Sequence, residues 1–208
     1  MKRREMLGIL GTAATVGLTA GSEARADHEA EAKPKGEELP PSQFHLALCA
    51  FHVAKANPKF QVEAHHFCAG VGDGVHQCVI YDSREKGAKL IGVEYIITDA
   101  IYQTLPAAEK AYYHPHTYEI TAGLLVIPGM SAAEEDAVMG KLITTWGKTW
   151  HTWPDPKTPL PMGDPILMWA FTEDGQINPA LVEARDSKLK MSTPEVRKRR
   201  ARAGLDGK

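Results

Sequence analysis

Residues 90–98 read Leu90-Ile91-Gly92-Val93-Glu94-Tyr95-Ile96-Ile97-Thr98. β-Branched and aromatic residues dominate, so the run predicts a strand. It is apolar on both faces except for one charge, Glu94. A carboxylate inside such a strand calls for a cation, a metal or several hydrogen-bond donors. The organisation of the chain follows outward from this element.

Upstream, Gln61–Asp82 reads as a strand, a connection rich in glycine (Gly70, Gly72, Gly74) and a returning strand, a β-hairpin. Before it, Ser42 follows Pro40-Pro41, and Phe44, Leu48 and Phe51 recur at helical spacing. This predicts a helix ending near Asn57-Pro58, with His45, Cys49 and His52 on an adjacent strip that reads as a partly buried interface. Downstream, Pro106 opens a short helix with Ala107–Tyr113 as its body, and His116–Ile127 is expected to return as a strand. Ser131 and Glu134 form a capping box for a helix whose Val138, Leu142 and Trp146 share a face and which Gly147 ends. Lys148–Trp153 and Ile166–Thr172 read as strands around a Pro-rich loop, and Asn178–Leu189 as a last helix. The alternation lacks a parallel-sheet rhythm. The fold class expected is α+β, a single domain with a mainly antiparallel sheet and packed helices, over residues 42–190.

The ends read differently. Residues 1–26 carry Lys2-Arg3-Arg4, a mildly apolar Leu7–Ala20 and an Ala24-Arg25-Ala26 cleavage pattern, a cleavable signal peptide. Arg3-Arg4-Glu5-Met6-Leu7 fits the twin-arginine export route, so the expected location is periplasmic or extracellular. Residues 27–41 form an acidic, Pro-containing stretch expected to be a solvated linker. Residues 191–208 form a basic tail, also expected to be solvated. The formal net charge of -2 argues against nucleic acid as a partner. No apolar run is long enough for a spanning helix.

Chemistry concentrates in Tyr112–Glu119 (Tyr-Tyr-His-Pro-His-Thr-Tyr-Glu), His65-His66-Phe67-Cys68 and Trp150-His151-Thr152-Trp153. His114 and His116, two apart on an extended backbone, point to one side, which is half of a metal site. Glu119 faces the same site only if the chain turns, and Pro115 leaves that open. The candidate ligands are His66, Glu94, His114, His116 and Glu119, a mixed nitrogen and oxygen set suited to zinc, iron or manganese. His65, Tyr95, Tyr118, Trp150, His151 and Trp153 are candidates for the surrounding pocket, with Tyr95, Tyr118 or His151 handling protons. The competing readings are loop histidines bonded to backbone and a Glu94 reaching solvent at a sheet edge. On the hairpin, a turn centred on residue 73 places Cys68 opposite Cys78. A disulfide, a Cys₂His₂ metal site with His66 and His76, and two unpaired buried thiols all fit that placement. No nucleophile elbow, Walker loop, dinucleotide fingerprint or H-E-x-x-H occurs.

Several of these stretches occur together in order: Phe51-His52, His65-His66-x-Cys68, Gln77-Cys78-x-x-Tyr81-Asp82-Ser83 and Ala88–Ile96. Thr104-Leu105-Pro106-x-x-Glu109, His114-x-His116-x-Tyr118-Glu119, Gly147-Lys148-x-Trp150-x-Thr152-Trp153 and Leu160-Pro161-x-Gly163-x-Pro165 follow. The set, spanning roughly Ser42 to Arg185, resembles the oil-body-associated protein family, here as a bacterial, exported member. The resemblance implies oil-body association for seed members and brings no assigned activity. Two functions are therefore expected to compete: a metal-binding domain, with or without enzymatic activity, and a non-catalytic module for lipid or another apolar ligand.

Overall fold

The computed structural model describes residues 40–206. The signal-peptide reading and nearly all of the linker reading lie outside them. Among the described residues the chain forms seven strands and six α-helices after a 3-10 turn at Pro40–Gln43.

The strands are β1 (Leu46–Ala54), β2 (Asn57–Gly72), β3 (Val75–Tyr81), β4 (Leu90–Thr98), β5 (His114–Pro115), β6 (Thr145–His151) and β7 (Ile166–Trp169). All pair antiparallel, which bears out the α+β expectation. β4 bonds to both β3 and β6, so the sheet returns on itself in the circuit β1-β2-β3-β4-β6-β7-β1. The weak joint is β1–β7, paired only at Val53–Trp169 and Ala54–Met168. Beside that joint, β6 uses one edge twice: Thr149–His151 pair with β7, while Trp146 and Gly147 pair with β5. Val126 bridges to Cys49 on β1. The segment from His114 to Val126 is thus attached to β6 at one end and to β1 at the other, and it carries two histidines and Glu119 into the molecule.

Three expectations are corrected here. Residues 46–54 are a strand, not a helix. β1 is buried along almost its whole length, Leu48–Phe51 on both faces, so it shows no period-two alternation, and the spacing of Phe44, Leu48 and Phe51 imitates a helix. Residues 116–127 do not form a strand: Thr117–Thr121 is a short helix, α3, after α1 (Asp99–Thr104) and α2 (Ala107–Lys110). Helix α4 (Ala132–Leu142) opens with the expected capping box but ends before Trp146, which belongs to β6. There its indole donates to Asp99 at 2.9 Å and stacks on Tyr102.

The basic tail is also different from a solvated one. After α5 (Pro179–Leu189), residues Thr193–Arg202 form α6, and Arg200 is fully buried. Its Nη1 donates to the carbonyls of Ile120 at 2.6 Å and Leu125 at 2.8 Å. Arg185 of α5 does the same for Leu124 at 3.0 Å. Glu135 of α4 accepts from the Ile127 amide at 2.7 Å and faces Arg200 at 3.4 Å. Two buried guanidiniums thus satisfy the loop carbonyls of Leu124 and Leu125 and add to the Ile120 carbonyl, which also accepts from the Gly123 amide. The apolar core around it joins Leu48, Ile96 and Leu125 to Met139 and Leu142 of α4.

Candidate metal centre

Directly opposed residues of antiparallel strands share a face. Cys68, Cys78, Glu94 and Thr149 form one such row across β2, β3, β4 and β6. Cys68 and Cys78 are joined as a disulfide, and Cys49 is free and buried. The row two residues along brings His66 of β2 and His151 of β6, through Ile80 and Gly92, and β1 contributes His52. β5 brings His114 opposite Gly147, and His116 precedes α3. All of these histidines, with Glu94 and Glu119, are at most 3% exposed.

Glu94 is the centre. Its Oε2 lies 3.2 Å from His66 Nε2. Its Oε1 lies 3.4 Å from His114 Nε2 and 3.5 Å from His116 Nε2. A charge-assisted hydrogen bond would be about 2.7–2.9 Å. Ligand atoms about 2.0–2.1 Å from a tetrahedral metal lie about 3.3–3.4 Å from one another. The separations around Glu94 fit the second spacing. A contrast exists on the same strand, where His65 Nε2 lies 2.9 Å from Glu63 Oε1. Lys188 Nζ approaches the same carboxylate at 2.8 Å. That is an ordinary hydrogen-bonded ion pair. Cys49 beside it stays a thiol, burial and then Glu63 pushing its pKa up to about 12.

The hydrogen bonds of Thr145 place the Nδ1 proton of His116. Thr145 Oγ1 donates its one proton to the Leu142 carbonyl at 2.6 Å, so it accepts from His116 Nδ1 at 2.8 Å. Neutral His116 then has its bare Nε2 towards Glu94. His52 Nδ1 lies 2.9 Å from His151 Nε2, which orients the His52 ring with Nε2 towards His66, 3.1 Å away. Partners of this kind fix ring and tautomer in metal sites. Thr149 Oγ1 donates to Glu94 Oε1 at 2.8 Å. Burial lowers the pKa of His52 and His114 and takes that of His151 down to about 3. Burial alone would raise the Glu94 carboxyl, yet the imidazoles of His114, His116 and His66 hold it well below the usual range. Burial would likewise lower His116, but Glu94 and Glu119 outweigh it and raise its pKa. Burial pushes Glu119, 3.9 Å from His116 Nε2, up to about 8.

Space is provided by a glycine. A Cβ on Gly147 would lie 2.6 Å from His116 Nε2 and 2.8 Å from His114 Nε2, and closer still to Glu94 Oε1. The missing methyl leaves a cradle facing three donors. Gly92 plays a similar part under His151, whose Cδ2 would lie 2.9 Å from an added Cβ. A second gap, with about 10 Å³ for the centre of a water-sized sphere, is walled by His52, His66, Glu94, His116 and Glu119. That is room for about one water. The five donors therefore form two groups sharing Glu94: with His114 and His116, and with His52 and His66. Either could hold a metal ion.

The chain matches the family model described as "Protein of unknown function (DUF1264)" over residues 38–204. It belongs to this family. Oil body-associated protein 1A of Zea mays is 42% identical over 163 residues, covering 78% of this chain and 68% of that protein. Oil body-associated protein 1B of Arabidopsis thaliana is 39% identical over 170 residues, 76% and 70% of the two chains. Oil body-associated protein 2B of Zea mays is 36% identical, 80% and 68%. No solved structure matches. The family's match runs past α5 into α6, consistent with Arg200 being packed under the rest of the domain.

The expected ligands His66, Glu94, His114 and His116 meet at this centre, with Glu119 on its wall. Of the expected pocket residues only His151 reaches it. His65 bonds Glu63 instead. Tyr95 is 47% exposed. The Tyr118 hydroxyl donates to Asp174 at 2.6 Å. Trp150 lies between Thr149 and His151 and so on the outward face, and Trp153 donates to Thr158 at 3.1 Å. His52, Thr145, Thr149 and Gly147 were not among the expected site residues. His52 shares a face with Leu48 and Ala50 once residues 46–54 are a strand, and no period in the sequence marks it.

Proposed function

We propose that this domain binds a divalent metal ion, zinc, iron or manganese, at Glu94, His114 and His116. The observation that carries the reading is the Gly147 cradle: with no side chain at 147, three fully buried donor atoms converge there, Glu94 Oε1 standing at ligand-to-ligand spacings from both imidazoles. Burial favours the neutral imidazole of His114, and Glu94 is held ionised, the protonation states that metal ligands need. When bound, the ion would act as a Lewis acid or lower the pKa of a bound water. His116 would be held by Thr145, and Thr149 would hold Glu94. With room for little more than a water molecule, any reactant there is of that size. Metal analysis of the chain purified without a polyhistidine tag tests this. At least one tightly held equivalent is expected, lost in Glu94→Gln and lowered by one equivalent in His114→Ala; a folded, metal-free protein that takes up no added Zn²⁺, Fe²⁺ or Mn²⁺ refutes it.

A second reading rests on a separate surface. An open cleft of about 450 Å³ is lined by Phe44, Phe67, Val79 and Tyr81, and it supports binding of an apolar ligand or lipid. Co-sedimentation with phospholipid vesicles, reduced in Phe67→Ser, tests it. Export is proposed too, on the twin-arginine leader; the Cys68–Cys78 disulfide supports it, since such bonds persist in oxidising compartments. Cell fractionation of the full chain checks it.

A further inference from the structure

We propose that the centre takes two divalent cations, with Glu94 bridging them through its two oxygens. One ion lies between Oε1, His114 and His116; the other lies between Oε2, His52 and His66. The proposal rests on the metal-binding reading and extends it.

Four observations carry it. The oxygens of Glu94 are divided between two histidine pairs: Oε2 faces His66 at 3.2 Å, while Oε1 faces His114 at 3.4 Å and His116 at 3.5 Å. Each triad is compact by itself, with all ligand atoms within 4.8 Å of one another, and the two share only Glu94. His52 Nε2 and His66 Nε2 are 3.1 Å apart, a spacing that two ligands of one ion adopt, and the His52 ring is held from behind by His151. Finally, the gap with room for about one water is walled by His52, His66, Glu94, His116 and Glu119, so it touches a histidine of each pair.

Sharing a carboxylate is chemically reasonable. A carboxylate offers two in-plane lone-pair directions, and paired ions about 3.5–4 Å apart are a recurring arrangement. Glu119 stands on the wall of the gap as a second carboxyl oxygen donor, and the space beside it fits one water-sized oxygen ligand. Two ions are therefore not left with Glu94 as their only carboxyl ligand, which matters in a site with no solvent exposure.

The test uses the full chain without an affinity tag, stripped with a chelator and titrated with Co²⁺ while the visible spectrum is followed. Saturation is expected at two equivalents in the wild type, and at one in both His52→Ala and His114→Ala. The Mn²⁺-loaded wild type should give the electron paramagnetic resonance pattern of an exchange-coupled pair, a readout that stands even where a variant fails to fold. Saturation at one equivalent, or two equivalents without coupling, overturns the bridged pair and leaves the single-ion reading intact. Binding of neither metal overturns both.

Discussion

Gly147 and Glu94 lie diagonally across the β4–β6 ladder, and the carboxylate of Glu94 occupies the space that a side chain at 147 would need. The glycine is thus part of the site although it bears no functional group. Gly147→Ala should place a methyl among the donors. The expected outcome is a folded protein destabilised by about 1–3 kcal/mol from overpacking, with the ion at Glu94, His114 and His116 lost. Urea unfolding together with metal analysis checks both parts.

Thr145 holds His116 from the far side, so its contribution is indirect. Thr145→Val keeps the shape and removes the acceptor of His116 Nδ1–H. Metal affinity should fall roughly 10–100-fold. Thr145→Ser should restore it, and competition with a chromophoric chelator measures both.

Arg200 is completely buried, and its guanidinium serves two carbonyls and Glu135. Arg200→Met should cost about 2–4 kcal/mol, because it removes the buried donor to the Ile120 and Leu125 carbonyls, while Glu135 keeps Arg199 as its partner. Arg202→Met on the same helix, where the side chain is exposed, should cost less than about 0.5 kcal/mol. Thermal or urea unfolding of the two variants separates them.

Glu63 gives the acid limb of stability. Burial would raise its pKa, but His65 and Lys188 outweigh this and bring it down to about 2. A carboxylate with a depressed folded pKa stabilises the fold above its ordinary value and ceases to do so as pH falls through the depressed one. The loss should therefore run from about pH 4.5 down to about pH 2, worth about 1–2 kcal/mol after solvent screening. Glu63→Gln should flatten that limb in urea unfolding measured against pH.

The strand around Glu94, the hairpin bearing Cys68 and Cys78, and the Ser131 capping box were legible in the sequence, because each depends on contacts between near neighbours in the chain. So was the anomaly of one carboxylate in an apolar strand, and with it His66, His114 and His116. Tertiary structure alone decided that β1 is a strand, since a segment covered on both faces carries no periodic signature. It also decided that 116–127 is a short helix and a loop and not a strand, for the carbonyls of Ile120, Leu124 and Leu125 are served by Arg185 and Arg200, which lie at least 60 residues away in sequence. For the same reason His52 and Gly147 become part of one site only when the sheet closes: β4 pairing with β6 sets what faces Glu94, and no local rule specifies that pairing.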